Sequence, residues 1–161
     1  MNIKTLQIAL LNSWNKDTCY PSMEKGWSSK NPAYGQCYVT ALIVNDYFGG
    51  KILKTKFKDG TGHFWNLINE EETDLTKSQF DKDEIIPKPT IHSRKEIENN
   101  SKYEEYNRRY LILKKRVEDF FKKSQIEKEF KVRKSYLKKL EKLRNEKTIR
   151  VDNFKKQYEL D

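Results

Sequence analysis

All six glycines and all four prolines of this 161-residue chain lie before residue 90. No other feature limits its folding as much. Residues 91–161 contain no helix breaker, so nothing local opposes a long helical run there. Residues 1–89 are punctuated by Gly and Pro, as in a domain of short helices and strands joined by turns. Charge divides at the same place. Residues 1–90 carry 11 Lys, no Arg and 11 acidic residues, whereas residues 91–161 carry 22 Lys plus Arg against 13 acidic residues. The whole net charge of +9 therefore sits in the second half. Charged residues make up 35% of the chain, above the usual quarter, so part of it lies outside any compact core. The expected organisation is an α+β domain over 1–90 and a basic α-helical extension over 91–161, as a helical hairpin or coiled coil.

Within the first half, Leu6, Ile8, Ala9, Leu10, Leu11 and Trp14 predict an amphipathic helix. From Cys37 to Phe48, apolar residues cover most of the way round a helix, which predicts a buried one stopped at Gly49-Gly50. Lys51–Phe57, His63–Ile68 and Thr73–Thr76 read as strands, with turns at 58–62 and 69–72. Asp83–Ser93, containing Pro87 and Pro89, reads as a linker. Beyond it, Tyr103, Tyr106, Tyr110, Leu113, Val117 and Phe120 step by 3, 4, 3, 4, 3 and form a seam that needs a partner surface. That surface is the later run Ile126, Phe130, Leu137 and Leu140 folded back, the first domain, or a second copy. The register breaks near Lys122–Gln125.

Two cysteines, Cys19 and Cys37, are too few for a disulfide scaffold and read as free thiols. Met1–Asn12 carries a short apolar run, too brief for a membrane span and followed by no small-residue cleavage site. No membrane association and a cytoplasmic location are the expectations. Cys19, Cys37, His63 and His92 lack the paired spacing of a zinc site, so no metal and no cofactor is expected.

The order Cys37, His63, Asp74 is one way to assemble a thiol nucleophile, its base and the residue that orients the base. Cys37 opens the buried helix, where the helix dipole and free N–H groups favour a thiolate. The bland alternative is a small core residue. His63 opens an aromatic strand, and its bland alternative is a structural histidine. Asp74 depends on a turn. A turn centred on Ile68-Asn69 sets it opposite His63, and one on Asn69-Glu70 sets it diagonal, within side-chain reach. One on Glu70-Glu71 takes it out of range. Asn66 faces the other side of the strand. An oxyanion site needs the Cys37 N–H and one more donor, for which Gln36 is the candidate, although an amide there also serves as a loop brace.

Trp14, Thr18-Cys19-Tyr20-Pro21, Asn31-Pro32-x-x-Gly35-Gln36-Cys37-x-Val39-Thr40-Ala41-Leu42, Asp46-Tyr47-Phe48-Gly49-Gly50, His63-Phe64-Trp65-Asn66 and Asp74-Leu75-Thr76-x-x-Gln79-Phe80 resemble the YunG-type family of small bacterial proteins. The resemblance spans about residues 5–80. The Cys-His-Asp order is similar to that of papain-like and transglutaminase-like thiol enzymes. That likeness implies a papain-like small domain, in which the Cys-bearing helix packs on a short antiparallel sheet. It implies Cys37 as nucleophile, His63 as base and Asp74 as orienting acid.

Two functions compete. The first is a cysteine-dependent hydrolase or acyltransferase acting on a protein or peptide. The second is a non-catalytic binding or inhibitor protein that engages nucleic acid or an acidic protein through Lys138, Lys139, Lys142 and Arg144. Self-association through the extension fits either.

Overall fold

The structure, a computed structural model, describes residues 1–99 and 104–145. The chain forms two compact units, Met1–Phe121 and Lys122–Asp161. The first is α+β. Its strands β1 (Lys51–Lys56), β2 (Gly62–Ile68), β3 (Glu71–Thr73) and β4 (Thr90–His92) make an antiparallel sheet in the order β3-β2-β1-β4. Its helices are α1 (Ile3–Ser13), α2 (Cys37–Phe48), α3 (Arg94–Glu98) and the first part of α4 (Glu104–Asn145).

Helix α1 starts where the Asn2 side chain accepts the Thr5 N–H at 2.9 Å. It buries Leu6, Ala9, Leu10 and Ser13. Ile8 and Leu11, expected on the apolar face, are about half exposed, because the buried stripe follows steps of three and four from Leu6 and misses both. Helix α2 keeps its expected bounds, and every residue from Cys37 to Val44 is buried. Gly49 and Gly50 end it in the left-handed region, at φ +68° and +79°. At Gly50 the Leu67 carbonyl occupies the space a Cβ would need, so the stop also fits the start of β1 against β2.

The two faces of the sheet are buried differently. Phe64 and Asn66 face α2: Phe64 meets Tyr38 edge-on at 5.2 Å, and Asn66 Nδ2 donates to the Ala41 carbonyl at 3.0 Å. Leu53, Thr55, His63 and Trp65 pair across β1 and β2 on the opposite face. All four are buried there, and Leu53 and Trp65 stand apart from the main core. Between β2 and β3, Asn69 (φ +49°) and Glu70 (φ +69°) form a two-residue turn with both residues left-handed, which suits the strand twist. Strand β3 ends at Thr73 rather than continuing to Thr76. Beyond it Asp74 Oδ1 accepts both the Thr76 N–H and the Thr76 hydroxyl at 2.9 Å, and the backbone turns away from the ladder.

Strand β4 lies inside the stretch expected to be linker. Three residues behind Pro89 carry no periodic signal, and only their pairing with Ile52–Lys54 makes them a strand. The first unit accordingly runs past Pro89 to Phe121. Ile97 of α3 and Tyr110, Leu113 and Val117 of α4 join the core formed by α1, α2 and the sheet, with Tyr106 and Phe120 partly buried against it. The α4 seam thus finds its partner surface in the α+β fold. Tyr103, its first residue, lies outside the described residues. Asp46 ties three helices together: it accepts the Tyr110 hydroxyl at 2.6 Å and pairs with Arg94 at 3.2 Å and Lys114 at 3.0 Å.

In the second unit the described residues form one continuous helix to Asn145. Ile126, Phe130, Val132, Tyr136, Leu137 and Leu140 are exposed, as are Lys138, Lys139 and Lys142. The side chain of Arg144 lies outside the described residues.

Candidate active site

Gly35 (φ +69°) turns the chain into α2. A Cβ there would collide with the Cys19 sulfur, so the tight approach of the two segments needs glycine. Cys37 is therefore the first residue of a helix, with first-turn N–H groups that have no intrahelical acceptor. Its side chain is 8% exposed, and its Sγ lies 3.8 Å from the Gly62 carbonyl, one residue before His63.

His63 is fully enclosed. Trp65, two residues along the same face of β2, stacks on its ring with centroids 5.0 Å apart and planes 21° apart. Phe80 meets the ring edge-on at 4.7 Å and 90°. Polar partners reach both ring nitrogens. Nε2 lies 2.8 Å from Asp74 Oδ2, and Nδ1 lies 3.3 Å from Gln79 Nε2. The Cys37 thiol is close enough to act on the ring. Burial pushes the imidazole pKa down, but the bonds to Asp74 and Cys37 outweigh it and raise it to about 9. A carboxylate only accepts, so Nε2 carries a proton and Nδ1 is the nitrogen that exchanges one.

The β2–β3 turn centred on Asn69-Glu70 puts Asp74 diagonal to His63, and the side chains close the gap. The two Thr76 bonds orient the carboxylate from its other oxygen. Cys37, His63 and Asp74 are thus brought together.

Gln36 is placed differently from the role expected of it. It is fully buried, and its Nε2 donates to the Asn15 carbonyl at 2.9 Å, which braces the loop after α1. Its Oε1 has no hydrogen-bond partner. Trp27 donates to the Pro32 carbonyl and Tyr38 packs in the core, whereas Trp65 stacks on the imidazole. Cys19 donates its thiol to the Tyr34 carbonyl at 3.2 Å, and burial pushes its pKa up to about 11. That thiol is protected, not activated. Lys138, Lys139 and Lys142 belong to the second unit. His92 meets the Thr90 hydroxyl on β4. Among the described residues no three His, Cys, Asp or Glu side chains are grouped to hold a metal ion. No helix among them is long and apolar enough to cross a membrane.

Sequence reasoning missed Gln79 and Phe80 as neighbours of the imidazole and Thr76 as the residue that orients Asp74. An Asp-x-Thr step is a local signal for a side-chain-bonded turn. Nothing local to Gln79 indicates that it reaches His63.

The family model described as YunG protein matches residues 2–122. The chain belongs to the YunG family. The matched region ends beside the boundary of the first unit, so the family unit includes β4, α3 and the buried part of α4. A relative is "Uncharacterized protein YunG" of Bacillus subtilis (strain 168), 41% identical over 71 residues. That alignment covers 44% of this chain and 56% of the relative, so the chain spans just over half the length of the curated relative it matches. No solved structure matches.

Proposed function

We propose that the chain is a cysteine-dependent hydrolase or acyltransferase, with a papain-like division of labour among Cys37, His63 and Asp74. One observation carries this reading: a thiol at a helix N-terminus acts on an enclosed imidazole whose Nε2 lies 2.8 Å from a carboxylate. With the proton shared between Cys37 and His63 resting on the imidazole, Sγ attacks a carbonyl carbon. The tetrahedral oxyanion takes the Cys37 backbone N–H as one donor. The C–N or C–O bond to the leaving group then breaks, and the imidazolium gives its proton to the leaving atom. A thioester remains. Water or an amine attacks it, His63 accepts the proton of the attacking atom, and that proton returns to sulfur as the C–S bond breaks. Asp74 holds the Nε2–H tautomer and steadies the imidazolium. Gln36, expected as the second oxyanion donor, supports the site through the loop it braces.

The test is competitive alkylation of the folded full-length protein, with Cys37 and Cys19 read separately by peptide mass. Cys37 should react faster than in the unfolded chain, and His63→Ala should remove the advantage. Equal rates in folded and unfolded protein would sink the proposal.

A second reading, a binding role, is favoured by the second unit. Residues 122–145 hold ten Lys plus Arg against three Glu, and they expose six large apolar side chains. An acidic protein surface with apolar patches complements both features.

A further inference from the structure

We infer that Gln79 is a positioning residue for His63, holding the ring opposite Asp74 and following the proton that Cys37 gives up. The inference rests on the thiol-enzyme reading for its meaning but not for its test. Its ground is the distribution of partners around one enclosed ring. Trp65 and Phe80 pack against the ring, and its two nitrogens carry the polar contacts. Asp74 takes Nε2, and Gln79 is 3.3 Å from Nδ1. The charged or titratable groups that act most on the ring are Asp74, from the segment after β3, and Cys37, from α2. Glu72, also near this face, is engaged by the Trp65 indole N–H at 2.9 Å.

Nδ1 has two states in the proposed reaction. Once the imidazolium has given its proton to the leaving atom, Nδ1 is a lone pair and accepts. While the proton rests on the ring, it carries N–H and donates. A primary amide is matched to both, because a half-turn about its last torsion exchanges an N–H donor for a carbonyl acceptor of nearly the same shape. Leucine offers neither, and glutamate offers only the acceptor. The position suits such a switch. Gln79 ends a short 3-10 turn, and its backbone N–H is already bonded to the Thr76 carbonyl at 2.9 Å. Its side chain, unlike that of Gln36, is only partly buried. The competing view is that Gln79 merely packs the turn over the sheet. In that case its replacement changes thermal stability and leaves the electronic state of His63 alone.

The experiment compares full-length wild type, Gln79→Leu and Gln79→Glu. Ring nitrogen shifts of His63 are followed against pH by NMR. The chain has two histidines, so a His92→Gln background assigns the signal. The expected order of His63 pKa is Gln79→Glu above wild type above Gln79→Leu. The rise for glutamate should be about one unit or more, because a carboxylate then faces the imidazolium. Cys37 alkylation near neutral pH should fall about tenfold in Gln79→Leu, the equivalent of one pKa unit in the thiolate–imidazolium balance. Coincident titrations in all three proteins, or a leucine variant titrating at or above wild type, would overturn the inference whatever the melting temperatures do. If the order holds while Cys37 reacts no faster than in unfolded protein, Gln79 keeps its role on the ring and the thiol-enzyme reading fails. If Cys37 is fast but the order is absent, the enzyme reading stands and Gln79 is structural.

Discussion

The Cys37 thiol and the Cys19 thiol differ in what surrounds them, not in burial class. Cys19 faces a backbone carbonyl and its pKa is raised by burial, so its proton is held. Cys37 lies at a helix N-terminus beside His63. Cys37→Ala should therefore abolish any turnover with little loss of stability, whereas Cys19→Ala should keep most of it. An inactive Cys19→Ala protein with an unchanged melting temperature would place the site on the wrong thiol. Asp74→Asn separates orientation from packing. It keeps the Thr76 bonds approximately but removes the charge behind Nε2, so activity should fall by about two orders of magnitude or more, far more than stability. Equal losses of both would make Asp74 structural. His63 also makes stability pH-dependent. Its folded pKa, about 9, lies above the ordinary 6.5, so the folded state binds the proton more tightly than the unfolded state. The contribution is full below about pH 6.5 and is lost as pH rises through about 9. Melting temperature measured across that window should decline more steeply in wild type than in His63→Asn.

At the scale of elements, the β2–β3 turn sets the candidate site. Its two left-handed residues pair Asn66 with Thr73 and leave Asp74 diagonal to His63. Glu70 occupies the second position, where glycine is preferred in such turns. A side chain there costs about 1–2 kcal/mol, part of which glycine returns through its larger unfolded-state entropy. Glu70→Gly should thus stabilise the protein by about 0.5–1 kcal/mol without changing Cys37 reactivity. A lowered melting temperature would show that the glutamate side chain makes a compensating contact. Asp46 has the corresponding role among helices, since Arg94, Tyr110 and Lys114 all converge on it. Removing its carboxylate takes a shared acceptor from all three, and Asp46→Ala should cost about 2 kcal/mol. Chemical denaturation measures that loss directly.

For the whole molecule, the length of the first unit is the practical matter. Ile97, Tyr110, Leu113 and Val117 are each worth about 1.5–3 kcal/mol of burial, roughly 6–12 kcal/mol together. A domain's entire stability is about 5–15 kcal/mol. A fragment of residues 1–90 should therefore not fold, while residues 1–121 should fold and retain whatever reactivity Cys37 has. Circular dichroism melts of the two fragments decide this, and a cooperative melt of 1–90 would contradict it. The second unit carries the separate question of partners. Changing Lys138, Lys139 and Lys142 to Glu should weaken binding to an acidic partner and flatten its salt dependence. Unchanged affinity and salt slope would leave these lysines as a solvated face.

Local chemistry determined much on its own. Apolar residues on all sides from Cys37 to Phe48 required a buried helix, Gly49-Gly50 required its end, and the pleat alone put Asn66 on the other face of the sheet from His63. These signals lie within a few residues, where periodicity and backbone freedom act. The tertiary structure decided what depended on partners distant in sequence. Thr90–His92 became a strand because β1 offered an edge, and the Tyr106–Phe120 seam became core because the first unit offered a surface. Gln36 was drawn inward by the Asn15 carbonyl, twenty-one residues away in sequence, and Gln79 was brought onto an imidazole sixteen residues earlier. A side chain's own sequence neighbourhood carries no record of which distant group will satisfy it. The Asp74 site lay between these cases: its geometry was limited to three registers by strand physics, and one two-residue turn selected among them.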